Sequence, residues 1–284
     1  MYFGSVKFFK HIILITVLLI IVGLVIATGW AILSNKDLKE QIALLKPLNI
    51  NKIQGEAIDY QKLYPDMCAV LPTEYIDNAN TVYLTFDDGP SDNTSIILDI
   101  LKEQNIKATF FVTGKDSAAS KAIMKRIVDE GHTIGIHTYS HKYNVIYSSV
   151  HDYLIDFDKI FRLIYEATGV KAEIARYPGG SINQFNSLIY TEISAEMTRR
   201  GFTYYDWNAS GGDAAPNASK NTVLTNSINS IGTKNRVILL MHDSLNKSAT
   251  VAALPDVIKS LKEKGYKFDR ITNNVRPINF DYKE

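Results

Sequence analysis

The chain has 284 residues, 46% of them hydrophobic and 21% charged, with a formal net charge of +1. That suits one globular domain of ordinary core size plus additions, and the balanced charge, with no basic stripe, excludes a nucleic-acid-binding footprint. The single cysteine, Cys68, excludes an internal disulfide framework, and a buried thiol with no catalytic part is its expected fate.

Ile12 to Leu33 is an apolar run of 22 residues without a charge, long enough to cross a hydrocarbon core of about 30 Å as a helix. Lys7 and Lys10 precede it, which keeps residues 1–11 in the cytoplasm, and Trp30 falls where interfacial aromatic rings collect. A cleaved signal peptide has a shorter apolar core ending at a small-x-small site. Here Ala27-Thr28-Gly29 is followed by further apolar residues. Residues 12–33 therefore read as a transmembrane signal anchor with everything downstream outside the cell membrane; cleavage would instead give a secreted form. Residues 34–80 read as an extracellular linker. Within it, Lys36 to Lys46 fits a short amphipathic helix ended by Pro47, and Tyr64-Pro65 and Leu71-Pro72 predict an extended stretch lying against the domain.

From residue 81 to 284 strands and helices alternate. Strands are predicted at Thr81–Phe86, Ala108–Thr113, Thr133–His137, Glu173–Tyr177, Phe202–Trp207, Arg236–Met241 and Tyr266–Arg270. The helices between them are Thr94–Gln104, Ala118–Glu130, Ser149–Thr168, Ser187–Arg200, Thr222–Ile231 and Ala252–Lys264. Such alternation implies an α/β fold with a parallel sheet covered by helices. A doubly wound sheet and a barrel both fit, but residues with chemical potential end many of the strands: Asp87 and Asp88, His137, Arg176, Asp206 and His242. That distribution favours a barrel. No GxGxxG or GxxxxGK[ST] loop follows the first strand, so a nucleotide cofactor has no support.

The stretch Thr85-Phe86-Asp87-Asp88-Gly89-Pro90 places two acids at the end of a buried strand, where carboxylates are costly unless paired, hydrogen-bonded or bound to metal. In isolation it reads first as a turn whose acids accept loop amides. His137-Thr138-Tyr139-Ser140-His141 spaces two imidazoles so that both reach one ion if the segment turns helically, and Asp88 would add a third ligand. Two His and one carboxylate leave open positions for water and substrate. Zinc is the default divalent metal, and cobalt, nickel or iron also suit the set. His242 ends an apolar strand, where an imidazole can act as a general acid or simply cap the strand. Arg176 can hold a carboxylate, and the glycines of Arg176-Tyr177-Pro178-Gly179-Gly180 let amides approach an oxyanion. Asp206-Trp207 adds an acid and a large apolar wall. His11, His132 and His151 read as structural or solvated.

Taken together, TFDDGP at 85–90, HTYSH at 137–141, RYPGG at 176–180, Asp206-Trp207 and Leu240-Met241-His242 resemble the ordered motifs of the NodB-homology polysaccharide deacetylases, carbohydrate esterase family 4. The resemblance runs from about Thr81 to Ile271. It implies a distorted (β/α)7 barrel, here preceded by one transmembrane helix, and metal-dependent deacetylation of a polysaccharide. By the same resemblance Asp88, His137 and His141 bind the ion, Asp87 is the base and Arg176 holds it. His242 is the acid with Asp206 orienting it, and Gly179, Trp207, Leu240 and Tyr177 line the substrate site. Many members carry an aromatic residue where this chain has Gly179, which implies a more open sugar-binding surface. The outward anchor points to N-acetylglucosamine of peptidoglycan as substrate; chitin-like glycan, poly-N-acetylglucosamine and xylan remain alternatives. A silent glycan-binding protein should lack a base, ligand or acid, and none is missing.

Overall fold

Strand β1, Thr81–Asp87, is buried at every position, the expected state of a parallel strand covered on both faces. The structure, a computed structural model, describes residues 60–280, and the chain from Lys62 onward forms one compact unit. The apolar run at residues 12–33 lies outside the described residues; among those described, no helix is long and apolar enough to cross a membrane.

After β1 come α1 (Asp92–Glu103), β2 (Thr109–Thr113), α2 (Ala118–Asp129), β3 (Thr133–Thr138), α3 (Tyr143–Ile146) and α4 (Val150–Thr168). The chain continues through β4 (Ile174–Ala175), α5 (Tyr190–Arg199), β5 (Thr203–Tyr204), β6 (Ala209–Ser210), α6 (Lys220–Ile231), β7 (Arg236–His242), α7 (Ser248–Glu263) and β8 (Lys267–Asp269). The sheet order is β5-β4-β3-β2-β1-β7-β6, with β8 on β1, and every pairing is parallel. The first half of β1 pairs with β8 and its second half with β2. This is a curled, incomplete barrel of the expected kind.

The alternation of side chains sets the interior. Tyr83, Phe111, Ile174, Tyr205 and Ile238 face one another inside the curl, with Ile271 and Val275 beneath them. Helices cover the outside, each starting on a residue that satisfies its free amides where the sequence allows. Ser91, Ser117, Ser149 and Ser219 cap α1, α2, α4 and α6.

Two departures from the expected elements follow β3 and β5. The predicted strand at Phe202–Trp207 is broken into β5 and β6, because the Asn208 side chain takes over strand pairing, donating to the Arg236 carbonyl and accepting from Ile238 N–H. The short helix α3 was not expected. Residues 63–76 lie against the barrel, as the sequence predicts for this stretch: Met67 is fully buried, Arg200 donates to the carbonyls of Leu63, Tyr64 and Met67, and Ile76 bridges to Val275. Cys68, expected to be buried, is exposed, since Met67 beside it takes the inward position.

Candidate active site

The C-terminal ends of β1, β3, β4 and β7 converge, and with them Asp87, Asp88, His137, Arg176 and His242. Asp87 is the last residue of β1 and is buried. Asp88 follows in a left-handed backbone conformation (φ 75°), which turns its carboxylate away from that of Asp87 and toward β3. His137 Nε2 lies 3.5 Å from Asp88 Oδ1 and 3.9 Å from Asp87 Oδ2, and His141 Nε2 lies 3.2 Å from Asp88 Oδ1.

The segment between the two imidazoles is not helical. It is a bend with positive φ at Thr138 (101°) and His141 (53°), conformations that side-chain-bearing residues rarely adopt without support. Asp156 of α4 supplies that support: its two carboxylate oxygens accept from the backbone N–H groups of Tyr139 and Ser140. Thr138 Oγ1 accepts from His141 N–H. The HxxxH spacing therefore works through a clamped bend, and Asp156 is a functional residue that pattern reading missed. It lies mid-helix, 15 residues beyond His141 in the sequence, with nothing local to mark it.

Three observations show that a cation fits here. One donor atom from each of Asp88, His137 and His141 can be chosen so that all lie within 4.8 Å of one another. Asp88 Oδ1 is buried without a hydrogen-bond partner, a costly state for a carboxylate oxygen. His137 Nδ1 is 2.8 Å from the Arg176 carbonyl oxygen; that oxygen only accepts, so Nδ1 carries the proton and Nε2 offers its lone pair. Burial pushes the His137 imidazole below its ordinary value despite Asp87 and Asp88, keeping it in the neutral, ligating form.

Arg176 has its side chain fully inside the barrel. It donates to Asp87 Oδ1 at 2.9 Å, to Thr85 Oγ1 at 2.7 Å, and to the carbonyls of Tyr205 and Asp206. Its guanidinium carbon lies 4.4 Å from the Phe111 ring centroid and 5.8 Å from that of Trp207. The cation is thus paired, hydrogen-bonded and stacked, the conditions under which a buried charge is tolerated. One oxygen of Asp87 is fixed by Arg176, and the other faces the His137 side.

His242 occupies the register position opposite Asp87 on the adjacent strand. The acid that orients it is not Asp206 but Asp213. His242 Nδ1 is 2.9 Å from Asp213 Oδ1, and His242 N–H donates to Asp213 Oδ2, which also accepts from Thr250. Burial alone would lower the imidazole, but the bond to Asp213 and the charges of Asp213, Asp87 and Asp88 raise it to about 9. His242 is therefore cationic at neutral pH, with Nδ1 occupied and Nε2 free to donate. Asp213 was missed because it lies beyond β6, a strand of two residues. Ser210 pairs with Leu240, which carries the following Gly211-Gly212-Asp213 up to His242.

Asp206 has a different place. Its carboxylate accepts from Ser181 N–H and O–H and from Phe280 N–H, tying the loop after β4 to the C-terminal segment. Burial raises its pKa despite these bonds and the charge of Arg176. Tyr177 is also displaced from its expected role. With Arg176 pointing inward, the next side chain points outward, and the Tyr177 ring is buried, stacked on Tyr204 at 4.9 Å and edge-on to Tyr153 at 5.5 Å. It cannot touch a substrate. Trp207 braces Arg176 and packs against Phe280, while Leu240 is buried between β6 and β1. Gly179 is exposed with φ 78°, and its amide has no protein acceptor among the described residues, so it is available to an oxyanion. The Tyr143 ring lies beside Gly179, against the position that a side chain there would take.

Residues 75–197 match the family model described as polysaccharide deacetylase. A putative polysaccharide deacetylase of Bacillus subtilis, YheN, is 32% identical over 270 residues, 93% of this chain and 92% of that protein. A peptidoglycan-N-acetylglucosamine deacetylase of Bacillus cereus is 34% identical over 208 residues, 70% of this chain and 72% of that protein. Among solved structures, the catalytic domain of a peptidoglycan N-acetylglucosamine deacetylase from Eubacterium rectale superposes with a TM-score of 0.70 at 34% identity, covering 75% of this chain and 98% of that one.

Proposed function

This chain belongs to the polysaccharide deacetylase family, and on that premise we propose that it hydrolyses N-acetyl groups of N-acetylglucosamine in peptidoglycan, outside the cell. The observation that carries the reading is the pairing of Asp87 with His242 at one register position of β1 and β7, beside the Asp88–His137–His141 cluster. A base and an acid of opposite charge thus flank a site built for a cation.

A divalent ion, which we propose is zinc, would be held by Asp88, His137 and His141 and would supply Lewis acidity and a lowered water pKa. The rest is the work of the chain. Asp87 accepts the proton of the attacking water through its free oxygen, its orientation fixed by Arg176. The Gly179 amide donates to the carbonyl oxygen as negative charge develops there. His242, cationic and held by Asp213 through Nδ1, gives its Nε2 proton to the departing amine nitrogen. Asp213 stays ionised and stabilises the imidazolium until the proton is gone. Base and acid are different residues, so neither has to exchange a proton with the other during one turnover.

We further propose that residues 12–33 anchor the chain in the cell membrane, and that residues 34–61 give the barrel the reach to meet wall polymer. The naming of relatives as peptidoglycan deacetylases supports the substrate. The test is acetate release from peptidoglycan and from N-acetylglucosamine oligomers by the zinc-loaded protein. We expect release that stops on chelation and returns with metal. We also expect Asp87→Asn to bind metal normally while turning over at least 10²-fold more slowly. Normal turnover by that variant would remove Asp87 as the base, and absence of acetate from every glycan would remove the deacetylase reading.

A further inference from the structure

The bend after β3 delivers Tyr143 two residues past His141. Its ring meets the His141 imidazole edge to face at 5.5 Å and the Phe185 ring at 4.7 Å, making a continuous run of rings leading away from the cluster. The Tyr143 ring also closes over Gly179: a Cβ at position 179 would lie 3.1 Å from Tyr143 Cε1 and 3.2 Å from its hydroxyl oxygen. From behind, buried Tyr147 packs against Tyr143 at 5.9 Å and donates its hydroxyl proton to the Pro178 carbonyl. Asn183 fixes the loop after β4, its Nδ2 donating to the carbonyls of Pro178 and Gly180 and its Oδ1 accepting from Phe185 N–H.

The outer side of this run is uncovered. Tyr143 is half-buried and Phe185 is 53% exposed. A single exposed phenylalanine carries little meaning. Here, though, two rings are braced from behind, adjoin a metal-binding histidine and an oxyanion-loop glycine, and still face solvent. Rigid, partly apolar surfaces next to polar chemistry are what ligand sites are made of.

We propose that Tyr143 and Phe185 form an aromatic shelf for a second pyranose ring of the glycan, next to the one whose acetyl group is removed. The proposal rests on the deacetylase reading and adds to it a preference for chain length. A pyranose chair with equatorial substituents presents a flat C–H face that packs on an aromatic ring, while its hydroxyl groups stay at the hydrated edge. Phe185 lies one ring beyond Tyr143 in the run that starts at His141. An oligomer covers it and loses apolar area from water.

The test is calorimetric titration of the full-length protein with N-acetylglucosamine monomer and tetramer, with and without zinc, in parallel with acetate release. Phe185→Ala changes an exposed side chain, so folding is not at issue; Tyr143→Ala and Tyr143→Phe complete the set. We expect both alanine variants to bind tetramer about tenfold more weakly and to show the same rise in KM. Phe185→Ala should keep its kcat and its monomer affinity, and Tyr143→Phe should behave as wild type. Unchanged tetramer affinity and KM in both alanine variants would overturn the shelf even while acetate release continues. If the wild-type protein releases no acetate, the deacetylase reading falls, and the calorimetric comparison still decides whether the rings hold a glycan.

Discussion

At the scale of single residues, Asp213 decides the protonation state of His242. Its hydrogen bond and charge overcome the lowering effect of burial and carry the imidazole to about 9. The acid form is thus present below that value and is lost as pH rises through it. In Asp213→Asn one raising charge is gone while burial and the charges of Asp87 and Asp88 remain, so the imidazole falls from about 9 toward its ordinary value near 6.5. We expect the alkaline limb of the kcat profile to move from near pH 9 toward about pH 6.5, with a rate loss of roughly 10–30-fold at pH 8. An unmoved limb would show that His242 is not the acid. Asp156 works at one remove, holding the bend that aims His141. Asp156→Ala frees two amides beneath residues of positive φ, and metal affinity should fall by about 10–100-fold in a competition titration. Its acetate release at saturating metal should recover toward wild type, which Asp87→Asn cannot do.

At the scale of elements, the site depends on how β1 ends against β7. Asp243 N–H donates to the Asp87 carbonyl, Ser91 at the cap of α1 donates to the Asp243 carbonyl, and Thr94 in the first turn of α1 donates to the Asp243 carboxylate. Gly89 lies against that carboxylate; a Cβ there would collide with Asp243 Oδ2. Since Asp243 is wholly buried, it cannot swing away. We expect Gly89→Ala to cost about 1–3 kcal/mol in denaturant unfolding and to weaken metal binding by displacing Asp88. The same contrast in element length explains what could be read from the chain alone. β1 and β7, each seven residues long and rich in β-branched, aromatic and aliphatic residues, announce themselves, and so do the acids and imidazoles at the ends of β1, β3 and β7. β4, β5 and β6 have two residues each, too few for a period, and their placement is set by partners distant in sequence. The sequence therefore points to Asp206 where Asp213 is the acid bonded to His242, and to Tyr177 as a site residue where the alternation after Arg176 sends it into the core. The HxxxH spacing was legible while its geometry was not, because the clamp comes from α4.

For the molecule as a whole, the two ends of the sheet carry buried groups that titrate in opposite senses. At the N-terminal end His132 accepts from Ala108 N–H, packs edge-on to Phe110, and is lowered by burial to about 4. An unfolded histidine takes up its proton near 6.5, so the stability due to neutral His132 is present above 6.5 and is lost as pH falls toward 4, roughly 3 kcal/mol over that interval. At the C-terminal end Asp243 is raised by burial, and further by Asp88 and Asp87, to about 7. Its folded form keeps a proton that the unfolded chain releases near 3.8, so its contribution is present at low pH and is lost as pH rises through 7. Between pH 4.5 and 6.5 the two slopes oppose each other, with His137 acting in the same sense as His132. Asp213, lowered by its bond to His242, contributes only below this window, and His242 only above it. Asp243→Asn removes one of the opposing slopes without touching the other. Relative to wild type, that variant should gain about 3 kcal/mol more stability between pH 4.5 and 6.5, whatever its absolute stability. Denaturant unfolding of both proteins across that range, without metal, measures the difference. Parallel curves would mean that Asp243 is ionised throughout and that the polar end of the barrel tolerates its charge by other means.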